Sequence, residues 1–223
     1  MSVDSPRIAC LQQFYHEYLA NHDSEAYLRK VHSRYTATTL ERLVLTAGPR
    51  LTRRGAALAL GLIQEYRSDA TLCLALHDED RGLRMLAENG LRAIWCRGGS
   101  IAEQQQLSVV IRLNLARHFL EAIRRASELI ADAPRFAEVW NQRAIALYSL
   151  GRYRESVQDC RQTLDLNPTH FGAAAGMGQC QLQLGDENSA LESFRRALAI
   201  NPDLEGIRAN VALLERKLKK NES

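Results

Sequence analysis

Three prolines frame this sequence: Pro134, Pro168 and Pro202 stand 34 residues apart. Each follows a helix-like run, ELIADAP, TLDLNP and ALAINP. The residue before a proline is pushed out of the α region, so each run must end there. A fixed period of this size marks a stacked-repeat architecture, in which one small unit recurs and buries its apolar face against its neighbours. The segments 137–168 and 171–202 align without a gap. Gly151 meets Gly185, each after a leucine (Leu150, Leu184); Leu164 meets Leu198 and Leu166 meets Ile200. Glycine at that point supplies the left-handed residue that closes a helix, so each unit reads as two helices.

The rest of the composition fits an all-α chain. Ala, Leu, Arg and Glu dominate, and no long stretch alternates apolar with polar β-branched residues. Hydrophobic residues make up 46% of the 223, enough to bury a real core. A net charge of +3 is too small to imply a nucleic-acid partner. The basic run Arg216, Lys217, Lys219 and Lys220 suits a helix C-terminus, where the dipole favours cations. Five widely spaced cysteines without a C-x-x-C pair argue against zinc and for a reduced, cytoplasmic setting. The N-terminus lacks the basic and apolar regions of a signal peptide. The apolar run 55–63 is too short to cross a bilayer, so no membrane partner is expected.

The units resemble the tetratricopeptide repeat family. Trp140, Ala144, Gly151, Tyr153 and Pro168 occupy its signature positions in one unit; Gly178, Gly185, Ala190, Phe194, Ala197 and Pro202 do so in the next. Ser156, Cys160 and Thr163 depart from the usual alanine, aromatic and alanine. Residues 103–134 read as a degenerate third unit, with Ala122 and Pro134 matching and Arg117 in the glycine's place. After Pro202, residues 203–220 put Leu204, Ile207, Val211 and Leu214 on one face of a helix, as a terminal cap requires. The expected fold is an α-solenoid of helix-turn-helix repeats.

The N-terminal half repeats more loosely. TLERLV and GAALALGLI are echoed by TLCLAL and LAENGLRAI, with arginines Arg50, Arg53, Arg54, Arg81 and Arg84 around polar turns. This resembles HEAT repeats, over about 36–97, within a helical region 1–97. Upstream, Leu11, Phe14, Tyr15, Tyr18 and Leu19 form an apolar stripe. The Gly-rich segment 98–102 is expected to be a hinge before the repeats at 103–223.

No catalytic signature is present, neither G-x-S-x-G, H-E-x-x-H, a Walker loop nor a dinucleotide fingerprint, so no enzyme and no cofactor are expected. His16, His22 and His32 lack the i, i+3 or i+4 spacing of metal ligands on a helix, so no metal is expected. Cys160 and Cys180 fall on faces that should be buried and inert, and Trp95 and Trp140 read as core aromatics. Gly172, Gly176 and Gly178 follow no strand; they read as close helix–helix approach, although Gly172, Ala175 and Gly176 could also leave room for a peptide backbone.

The resemblance implies that the first helices of the units line a concave groove. By position it would show Gln104, Ser108, Ile111 and Asn114, then Asn141, Gln142, Ile145 and Tyr148, then Gln179, Leu182 and Gln183, then Asn210 and Leu213. The polar candidates for peptide binding are therefore Asn141, Gln142, Tyr148, Gln179, Gln183 and Asn210. Amides can pair with an extended backbone. Some members clamp a C-terminal carboxylate of chaperone tails with Lys and Asn; here those positions hold Asn141 and Ile145, then Gly176, which disfavours that role. The expected function is a scaffold that binds a protein or peptide. Two other readings stay open: an accessory to an enzyme system such as a pigment lyase, and a self-associating structural module, a homodimer.

Overall fold

The computed structural model describes residues 5–46, 48–63 and 69–221. Among them are thirteen helices and no strand. They form two compact units, 1–94 and 95–223.

The first unit holds α1 (Ser5–Asn21), α2 (Ser24–His32), α3 (Ala37–Leu45), α4 (Arg50–Leu62), α5 (Ala70–Ala75) and most of α6 (Arg81–Cys96). Helix α4 is its centre, since 55–61 are all buried. The glycines inside α4 are demanded by packing. A Cβ at Gly61 would lie 2.8 Å from the Gly90 Cα of α6, so these helices cross in backbone contact. Of the N-terminal stripe, Leu11 and Tyr15 are buried, while Leu19 is exposed. Tyr27 adds a buried bond, its hydroxyl donating to the Gly55 carbonyl at 2.6 Å. The arginines of α4 reach into the acidic turn before α6. Arg54 grips Asp80 with two bonds, and Arg53 pairs with Asp78.

The second unit begins at Trp95 and contains α7 (Ile101–Leu115), α8 (Phe119–Asp132), α9 (Ala137–Ser149), α10 (Tyr153–Leu166), α11 (Phe171–Gln183), α12 (Glu187–Ile200) and α13 (Glu205–Asn221). Helices α8, α10 and α12 each end two residues before a proline of the 34-residue series. Helices α7, α9 and α11 close alike. Gly151 and Gly185 take φ of +74° and +80°, and the residue after each donates its N–H five residues back, Arg152 to Leu147 and Asp186 to Gln181. Arg117 makes the same turn at φ +62°, with His118 donating to Leu113. So 103–134 keeps the repeat geometry although a non-glycine residue carries a left-handed backbone.

Two apolar clusters hold this unit together. Leu107, Val110, Ala122, Ala126, Leu129 and Val139 form one; Leu164, Ala174, Ala190, Phe194, Ala197 and Leu214 form the other. Ile207 and Leu214 of α13 cover the last repeat, the work of a cap. The three departures from the family pattern are each satisfied. The Ser156 hydroxyl donates to the Ala144 carbonyl at 2.8 Å, the Thr163 hydroxyl donates to the Asp159 carbonyl at 2.9 Å, and Cys160 is buried. Gly98 and Gly99, within the segment expected to hinge, lie under the Phe136 ring, where a Cβ at Gly99 would come within 2.7 Å of it.

Candidate peptide-binding face

Helix α9 packs against both α7 and α11, so the first helices of successive units form one layer. A 34-residue offset gives equivalent sequence positions in α9, α11 and α13: Glu138, Gly172 and Gly206; Gln142, Gly176 and Asn210; Ile145, Gln179 and Leu213. What each residue is free to do differs sharply between units.

In the first well-formed unit the amides are engaged. Glu138, at the start of α9, is buried and acts as a hub. Its Oε1 accepts from Asn141 Nδ2 at 3.1 Å and from Gln142 Nε2 at 2.7 Å. Its Oε2 lies 2.8 Å from His170 Nε2. The tautomer of His170 follows from its other nitrogen: Nδ1 accepts from the Ala173 N–H at 3.0 Å, capping α11, so the proton sits on Nε2 and is donated to Glu138. Burial pushes the Glu138 carboxyl up, but the bonds from His170, Gln142 and Asn141 outweigh it and hold its pKa below the ordinary value. Trp95 stacks on the same imidazole with centroids 4.0 Å apart. Gln142 is spanned from the other side, since Asn114 Nδ2 donates to both its carbonyl and its Oε1. Asn141 and Gln142 therefore serve the join between units.

The second unit and the cap leave their amides open. Gln179 and Asn210 are half-buried and Gln183 is exposed. None of the three side chains makes a hydrogen bond to another described residue. Tyr148 leans its ring on Tyr153, centroids 5.4 Å apart, and burial raises its phenol pKa. Ile145 and Leu213 are exposed apolar groups at equivalent positions.

Sequence reading places the six polar candidates on α9, α11 and α13 and does not single out Glu138 and His170. Their pairing spans 32 residues and is tertiary. The available signals are an acidic residue on an inward face and a histidine just before a helix. Trp140 is only half-buried. Its Nε1 donates to the Pro134 carbonyl at 3.0 Å, and the Arg143 guanidinium lies 5.0 Å above its ring. Arg143 also binds Asp159 through two bonds and Ser127 through a third, joining α8, α9 and α10. Burial pushes the Cys160 and Cys180 thiols up, so they stay protonated and poorly nucleophilic. No group of His, Cys, Asp and Glu among the described residues could hold a metal ion. No described helix is long and apolar enough to cross a membrane.

A helical stack with two left-handed glycine turns, 34-residue spacing and a capped end defines a tetratricopeptide-type solenoid. Comparison with known proteins agrees. Tetratricopeptide repeat family models match residues 137–170 and 173–204, so the chain carries two such repeats. A TPR repeat-containing protein of Rhizobium etli is 36% identical over 94 residues, 42% of this chain and 46% of that protein. The Hsp70-Hsp90 organizing protein of Triticum aestivum is 34% identical over 97 residues, 44% of this chain and 17% of that protein. The chain thus matches less than half the length of either relative. Among solved structures, the first TPR of Spaghetti (RPAP3), bound to an HSP90 peptide, superposes with TM-score 0.51 at 17% identity, over 52% of this chain and 93% of that one. The Sgt2 TPR domain of Aspergillus fumigatus gives 0.53 at 14% identity, over 56% and 84%. These two likenesses show a helical-repeat fold over about half of the chain.

Proposed function

We propose that this chain is a non-enzymatic adaptor that binds a protein or peptide along the layer formed by α9, α11 and α13. The observation that carries this is the row of open polar groups, Tyr148, Gln179, Gln183 and Asn210, on a face whose other amides are internally satisfied. Side-chain amides offer a donor and an acceptor each, which suits an extended backbone. The RPAP3 domain with its bound HSP90 peptide supports the use of such a fold for peptide recognition. We read the N-terminal unit as HEAT-like helical pairs, α3 with α4 and α5 with α6, and the chain as cytoplasmic. The test is affinity capture from lysate. The Gln179→Arg/Asn210→Arg double variant should lose the partner recovered by the parent chain while keeping its melting temperature. Equal recovery by both would remove this face from the function.

A further inference from the structure

The turn between α7 and α8 departs from its two counterparts in one consistent direction. By the 34-residue register, Leu115, Arg117 and Leu120 stand where the next unit has Ser149, Gly151 and Arg154, and the one after has Gln183, Gly185 and Asn188. The repeat therefore accepts polar residues at both leucine positions and a glycine between them. Leu115 is 79% exposed and Leu120 73%, although α7 and α8 bury Leu107, Val110, Ala122 and Ala126 between them. Leu115 is the last residue of α7 and Leu120 the second of α8. Both leucines thus stand at one end of the helix pair, with the exposed residues 116–118 between them. Packing gives no reason for either.

Arg117 adds an independent observation. It holds φ +62° where a glycine would sit without strain. Its side chain is exposed and forms no hydrogen bond or ion pair with another described residue, so nothing inside the fold offsets that strain. Arg154, at the register position of Leu120, is likewise exposed and without an ion pair to a described residue. Arg112, one turn before Leu115, bonds the Ser108 hydroxyl and no carboxylate. The acids of these elements are engaged: Glu121 by Arg124 and Arg125, Glu128 by Arg124, Glu155 by Arg152. Acidic groups dominate only at the third turn, where Asp186 caps α12 and Glu187 pairs with Lys217. The surroundings of the two leucines are therefore positive.

We propose that this tip docks the chain onto an anionic membrane surface. Leu115 and Leu120 enter the boundary between headgroups and acyl chains, and Arg112, Arg117 and Arg154 lie among the phosphates. A second copy of the same tip is disfavoured, because its arginines would face these. A protein interface buries about 800 Å² on each partner, which six residues turning outward at a helix-pair end do not offer. A fluid headgroup layer moulds to such a tip and requires no spanning helix. The contact is weak and reversible, since stable anchoring takes more than a few side chains. The tip belongs to α7 and α8 and the open amides to α11 and α13, so the two surfaces are separable by mutation.

The test is co-sedimentation of the full chain with vesicles of phosphatidylcholine alone or mixed with phosphatidylserine. Binding should require the anionic lipid and fall about tenfold from low to high salt. Leu115→Ser/Leu120→Ser should weaken it about tenfold. Arg117→Gly should weaken it about fivefold while melting higher than the parent, which separates lost binding from lost fold. Ile101→Ser removes a side chain 76% exposed at the opposite end of α7 and should bind like the parent. Failure to bind the mixed vesicles, equal binding to both kinds, or an equal loss in Ile101→Ser would overturn the proposal. With the vesicles unbound, dimerisation that the leucine double variant abolishes would assign the tip to a second copy. Loss of the lysate partner in that variant would assign it to a protein instead.

Discussion

The two well-formed repeats use the same frame for opposite ends. In 137–168 the inward positions hold Glu138, Asn141 and Gln142, and all three are joined in one buried network with His170. In 171–202 the positions of Glu138 and Gln142 hold Gly172 and Gly176, and Gln179 takes the place of Ile145. One repeat uses its polar groups to fasten itself to the next; the other keeps them available. Register in a repeat fixes where a side chain lies, but not whether it is already engaged.

This contrast breaks most visibly at Glu138. Glu138→Ala would leave the His170 Nε2–H and two amides without their acceptor, at a cost of about 3 kcal/mol in urea unfolding. The effect depends on pH with a definite sign. The folded pKa of Glu138 is depressed, so its contribution is complete above the ordinary carboxylate value and is lost as pH falls through the lower folded value. The stability gap between the parent and Glu138→Gln should therefore narrow as the pH drops below about 4.

Gly178→Ala sharpens the difference between glycines that pack and glycines that do not. Its Cβ would overlap the Phe194 ring, and about 2 kcal/mol should be lost in the same assay. Arg117→Gly should act the other way. It relieves a left-handed non-glycine residue in the degenerate unit and should raise stability by about 1 kcal/mol. Gly176→Ala should give the smallest change, a gain of about 0.5 kcal/mol, because a methyl fits there and helix propensity improves. A loss at Gly176 as large as that at Gly178 would mean that both glycines serve packing.

Much of the fold is legible in the sequence because its causes are local. Proline stops, glycine turns and 3.6-residue apolar periodicity act over a few residues, and they place α9 to α13. The two helices of 103–134 are foreshadowed by apolar periodicity together with Ala122 and Pro134, although Arg117 hides the turn between them; nothing in the sequence shows that this residue is held at positive φ. The site is legible only as positions. Asn141 and Gln179 look alike in sequence, and only the folding of Glu138 and His170 toward each other separates the engaged amide from the open one.

The most direct test of the account is the side-chain amide spectrum of the 15N-labelled chain as the partner recovered from lysate is added. The Nε and Nδ signals of Gln179, Gln183 and Asn210 should shift, while those of Asn141 and Gln142 move little. Shifts confined to the N-terminal unit or to α8, α10 and α12, with those three amides unchanged, would contradict it.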